Sequence, residues 1–105
     1  MALVPLTDEQ RAAALEKAKA ARTARAEAKS ALRRGVVTVG ELLARAQEDE
    51  AVARLKVTEM LESLHGIGAV RAQSILAALG IAPSRRLRGL GVHQRRALVD
   101  FLEAQ

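Results

Sequence analysis

Nothing between Thr7 and Arg34 breaks a helix, and alanine fills most of the uncharged positions. Alanine loses no side-chain entropy in a helix, so this stretch predicts one long helical element. Thr7-Asp8-Glu9-Gln10 reads as its capping box, with the Thr hydroxyl meeting the amide three residues on and Gln reaching back. Large apolar side chains are scarce here, with little beyond Leu15 and Leu32. A stripe that thin cannot be gripped by a core along its whole length. The surface carries Arg11, Lys17, Lys19, Arg22, Arg25, Lys29, Arg33 and Arg34. Two readings stay open: a solvated, self-supporting helix, or an arm lying along a polyanion.

The rest of the chain is also helical in pattern. Gly35 ends the first helix, and Thr38-Val39-Gly40-Glu41 looks like a second capping box before Leu42, Leu43 and Ala46. Val52, Leu55, Val57, Met60, Leu61 and Leu64 recur at helical spacing, with an interruption near Lys56. A further helix carries Val70, Ala72, Ile75, Leu76 and Leu79 up to Gly80. After a connector over 81–91, the last helix runs from about Val92 to Glu103 and buries Leu98, Val99 and Leu102 or Phe101. The pattern predicts an all-α protein of five helices around an aliphatic core, with no strand pair. A length of 105 residues allows one such core. The expected division is a basic arm over 1–40 and a globular unit over 41–105.

Composition removes several classes. Without cysteine there is no disulfide framework, Cys zinc site, Fe–S cluster or thiol nucleophile. No apolar stretch approaches the roughly 20 residues of a membrane span. The start meets Asp8 and Glu9 without a basic n-region, which predicts no secretory signal and a cytoplasmic protein. The net charge of +5 is unevenly laid out. Residues 1–40 hold eight Lys or Arg against four acids, 41–62 hold three against six, and 63–105 hold six against two. The C-terminal excess is arginine alone, whose planar fork donates two hydrogen bonds to one phosphate. A basic balance admits nucleic acid, an acidic membrane surface or an acidic protein as partner.

Two motifs narrow this. Leu64-His65-Gly66-Ile67-Gly68-Ala69-Val70-Arg71-Ala72 has the helix–hairpin–helix pattern. Its glycines allow a tight turn, Ile67 plugs that turn into the core, and Ala72 lets the two helices approach. The next helix starts with unpaired amides and a positive dipole end, so an anion can dock beside Arg71. Such a turn grips a phosphate without reading a base. A Gly-x-Gly between helices also serves as a plain turn. In Ser84-Arg85-Arg86-Leu87-Arg88-Gly89-Leu90-Gly91, Leu87 and Leu90 bracket three arginines and would hold the loop against the core. That favours a positioned patch over a solvated charge run. The single aromatic, Phe101, leaves nothing to stack on bases. His65 and His93 lack a carboxylate or cysteine companion, so neither a metal nor a cofactor is expected. No nucleophile–base pair is visible, and an enzyme is not expected.

Thr7 through Ala18, Lys56-Val57, the Gly-Ile-Gly turn and Ala82 through Gly91 together resemble the actinobacterial integration host factor family. The resemblance implies a long basic N-terminal helix before a compact S13-like helix–two-turns–helix domain of about four helices. It also implies a monomeric, nucleoid-associated protein that binds duplex DNA with little sequence preference. Such a protein shapes and bends DNA, affects supercoiling and assists phage integrase. Carried over, Gly66, Ile67 and Gly68 with Arg71 would hold one backbone segment. Arg85, Arg86 and Arg88, with Gly89, would clamp the minor-groove side or adjoining phosphates. Arg22, Arg25, Lys29, Arg33 and Arg34 would offer a second DNA contact. The family commonly has Pro at His65 and Lys at Ala69, so this turn is less pre-set and one phosphate contact short. The rival reading is an RNA- or ribosome-binding module, since the same domain serves ribosomal RNA.

Overall fold

Both capping boxes form. The Gln10 amide donates to Thr7 Oγ1 at 3.0 Å and the Thr7 amide to Gln10 Oε1 at 2.9 Å. The same exchange joins Thr38 and Glu41 at 3.1 and 3.2 Å. They start the first two helices of the computed structural model, which describes residues 4–104. In chain order these are α1 (Asp8–Arg33), α2 (Val39–Arg45), α3 (Glu50–Ala53), α4 (Val57–Glu62), α5 (Ala69–Ala78) and α6 (Val92–Glu103). A 3-10 turn, Leu87–Gly89, sits between α5 and α6. The structure is all-α, as the pattern predicts.

At 1.5 Å per residue the 26 residues of α1 span about 39 Å. Only Ala28 and Leu32 of them are fully buried, against α3 and α4. The core therefore grips the C-terminal end of α1 and leaves its first four turns exposed. The chain leaves α1 around Gly35, where the Val36 amide turns back to the Ala31 carbonyl at 2.9 Å.

The helix count differs from the five predicted. Six α-helices are present among the described residues, five of them after α1, of which α3 is a single turn. The apolar run over 52–64 counts as one helix interrupted near Lys56; the interruption is there, with Lys56 extended (φ −72°, ψ 142°), and it separates two helices, α3 and α4. The cause is non-local. Lys56 forms an isolated antiparallel bridge with Arg86, closed by Val57 N–H to Arg85 C=O at 3.0 Å and Leu87 N–H to Leu55 C=O at 2.9 Å.

Around that bridge the core is aliphatic. Leu42, Leu55, Met60, Leu61, Leu76 and Leu98 are all below 2% exposed. Each such side chain contributes about 1.5–3 kcal/mol of burial. Leu98 is the fully buried residue of α6, with Val99, Phe101 and Leu102 packed against the cluster. No helix among the described residues is long and apolar enough to cross a membrane.

Candidate functional site

The turn between α4 and α5 is built by its glycines. Gly66 has φ +82°, a left-handed backbone that side chains rarely adopt, and the Ile67 amide closes the turn on the Leu64 carbonyl at 3.2 Å. Ile67 is half-buried against the core, and Ala72 is fully buried where α5 meets α4. Gly68 is the N-cap of α5 and supplies no capping side chain, so the first amides of α5 face outward with their dipole. A Cβ on Gly68 would meet no protein atom within 4 Å. The space above those amides is open to a ligand. Arg71 stands on the exposed side of the first turn of α5. A shallow hollow of about 370 Å³ joins the turn to Arg33 of α1, with Glu62 and His65 on its rim.

The second feature is the arginine loop. Its opening turn is closed by Arg85 N–H to Ala82 C=O at 3.0 Å, and the bridge to Lys56 then pins it to the α3–α4 junction. Leu87 and Leu90 are 2% and 4% exposed, so the loop is anchored as their spacing predicts. The three arginines do different work. Arg85 folds over Gly89 and donates to its carbonyl at 2.8 Å. A Cβ on Gly89 would lie 2.9 Å from Arg85 Cδ, so glycine is what lets that side chain lie flat. Arg86 donates to the Arg54 carbonyl at 2.6 Å, closing the C-terminal end of α3. Arg88 is exposed, and its side chain has no hydrogen bond or ion pair among the described residues.

The five α1 cations expected to act together are divided. Arg33 borders the glycine turn, while Arg22 and Arg25 border a groove of about 1200 Å³ that Arg86 and Arg88 border from the other side. Arg25 is itself tied to the Ala51 carbonyl at 3.2 Å. Lys29 borders neither hollow, and Arg34 donates Nε–H to the Ser30 carbonyl at 3.4 Å on its own helix. The glycine turn and the arginine loop remain two separate features, each with a share of α1.

Sequence reasoning misses two cations of the groove, Arg54 and Lys56. Both lie in what reads as an acidic segment, and only the bridge to Arg86 brings them to the loop. The break in periodicity at Lys56 is the one local signal. Two of the three acids bordering the groove are locally engaged: Asp49 caps α3 by accepting from the Ala51 amide at 3.0 Å, and Glu50 pairs with Arg54 at 2.8 Å, leaving Glu59. What remains outward is predominantly positive and without aromatic surface, which suits a polyanion gripped by its charges.

Known proteins are similar to this chain in sequence and fold. The S13-like H2TH (helix–two-turns–helix) domain family matches residues 32–101. The integration host factor of Mycolicibacterium smegmatis is 56% identical over 100 residues, 95% of this chain and 95% of its own length. That of Streptomyces coelicolor is 52% identical over 98 residues, covering 93% of this chain and 92% of its own. A solved structure of sIHF bound to an 8-bp palindromic DNA aligns with a TM-score of 0.77 at 46% identity, over 79% of this chain and 93% of that one.

Proposed function

The chain belongs to the integration host factor family, and from that premise we propose that it is an architectural protein of the nucleoid that binds duplex DNA through the phosphate backbone. The observation that carries this is Arg88: a cation without a side-chain partner among the described residues, on a loop anchored by two buried leucines. The similar structure bound to an 8-bp DNA supports duplex as the ligand. Phosphates would sit at the glycine-turn amides beside Arg71 and at the arginine loop, with Arg86 and Arg88 reaching towards the minor groove. Neither site presents a base-reading set of amides or aromatics, so sequence preference is weak. The protein acts as a monomer without cofactor or enzymatic activity. By holding the duplex at two separated points it bends DNA, alters supercoiling and assists integrase-mediated recombination.

The test is a binding titration on unrelated duplexes and on a structured RNA across a salt series. Affinities for the duplexes agree within a few-fold and fall together with salt, each phosphate contact adding about 0.9 to the slope. Tighter binding to the RNA at every salt concentration would replace this reading with the ribosome-like one.

A second prediction isolates the turn. Gly68→Ala adds a methyl in open space, so folding stability changes by no more than about 1 kcal/mol. The same methyl stands between a docked phosphate and the α5 amides, and the loss of one charge-assisted hydrogen bond weakens duplex binding roughly tenfold. Unchanged affinity in a folded Gly68→Ala variant would remove the turn from the interface.

A further inference from the structure

We propose that Arg85 is a positioning residue of the arginine loop and not one of its phosphate contacts: with Gly89 it forms a clasp that sets where Arg88 points. This rests on the DNA reading above.

Glycine at position 89 needs a reason, and the backbone supplies none. The positive φ values among the described residues belong to Gly35, Gly66 and Gly80, so Gly89 stands in a conformation open to other residues. The three atoms nearest to a Cβ there all belong to one side chain. They are Cδ of Arg85 at 2.9 Å, its Nη1 at 3.7 Å and its Cγ at 3.8 Å. What the missing methyl makes room for is the Arg85 stem.

Arg85 is itself fastened along its length. Its amide donates to the Ala82 carbonyl at 3.0 Å, and its carbonyl accepts from the Val57 amide at 3.0 Å. From that half-buried base its Nη1 donates to the Gly89 carbonyl at 2.8 Å. The side chain thus closes over the 3-10 turn Leu87–Gly89, whose middle residue is Arg88. The turn has little else to hold its shape: the Gly89 amide meets the Arg86 carbonyl at 2.9 Å and the Leu90 amide the Leu87 carbonyl at 3.2 Å. Turns of this kind are weakly bonded by themselves. Leu87 and Leu90 fix where the turn sits, and the clasp fixes the peptide that follows Arg88. A guanidinium turned back onto its own loop also gives up part of the fork that grips phosphate through two parallel bonds. Arg88 keeps the whole of its own. Duplex affinity then scales with the fraction of molecules in which Arg88 is set.

The test compares Arg85→Ala with Gly89→Ala, which keeps every charge but puts a methyl where the Arg85 stem lies. Both are expected to weaken duplex binding about fivefold at every salt concentration, the equivalent of one lost hydrogen bond. The salt slope stays within about 0.3 of wild type in each. The double variant binds no worse than either single one, because both break the same clasp. Without DNA, hydrogen exchange at the Gly89 and Leu90 amides quickens in both. A slope lower by about 0.9 in Arg85→Ala but not in Gly89→Ala would make Arg85 a phosphate contact and overturn the proposal. Additive losses in the double variant, or unchanged amide exchange in Arg85→Ala, overturn it too. Failure of the DNA reading is distinct: Arg88→Ala would then leave binding unaltered, while amide exchange still reports the clasp.

Discussion

Leu87→Ala is expected to lower the melting temperature by on the order of 15 °C. The side chain is 2% exposed, and its own amide closes the bridge to Leu55 at 2.9 Å. Truncating a buried leucine costs about 2–5 kcal/mol through lost transfer and the cavity left behind. In a domain of roughly this length each kcal/mol moves the midpoint by about 4–8 °C. The effect reaches the loop as well as the core. Leu87 stands between Arg86 and Arg88, so its removal frees both cations from their set positions. Duplex affinity should therefore fall below that of wild type even at temperatures where the variant is fully helical. Leu87→Met, which conserves volume, should recover most of both losses. Thermal unfolding followed by circular dichroism, with binding measured well below the midpoint, checks this. A shift of only a few degrees would mean that the loop is not anchored through Leu87.

What the sequence makes legible is what local chemistry decides. A Thr with Gln or Glu three residues on is enough to start a helix, and both starts are found at Thr7 and Thr38. Two leucines bracketing arginines predict a docked loop, and Leu87 and Leu90 are buried. The positive backbone of Gly66 follows from a Gly-x-Gly between helices. The split of α3 from α4 is different in kind, because Lys56 is held extended by a partner thirty residues away. No periodicity within 52–64 encodes that pairing. Arg54 and Lys56 escape notice for the same reason, since their neighbourhood in sequence is acidic and their neighbourhood in space is not. The alanine run shows that α1 is helical but not where the core lets go of it. That point is set by which turns meet α3 and α4.

The comparison of Arg86 with Arg88 separates holding the loop from holding DNA. Arg88→Ala removes a side chain that meets no acceptor among the described residues, so the melting temperature should stay within about 2 °C of wild type. If Arg88 meets a phosphate, affinity falls roughly tenfold for every duplex sequence alike, as the loss of one hydrogen bond to a charged group requires. The salt slope drops by about one. Arg86→Ala should match it in slope but also lose the bond to the Arg54 carbonyl, which at an exposed site is worth about 1 kcal/mol and a few degrees of melting temperature. Its effect on affinity is then the larger, because a loosened α3 end and bridge displace Arg88 too. Removing both should take about 1.8 from the slope and weaken binding by roughly two orders of magnitude. If Arg88→Ala kept the slope but changed the ranking of duplex sequences, the side chain would be reading base edges and not phosphate. If Arg86→Ala melted like wild type, the 2.6 Å contact to the Arg54 carbonyl would not be what seats the loop.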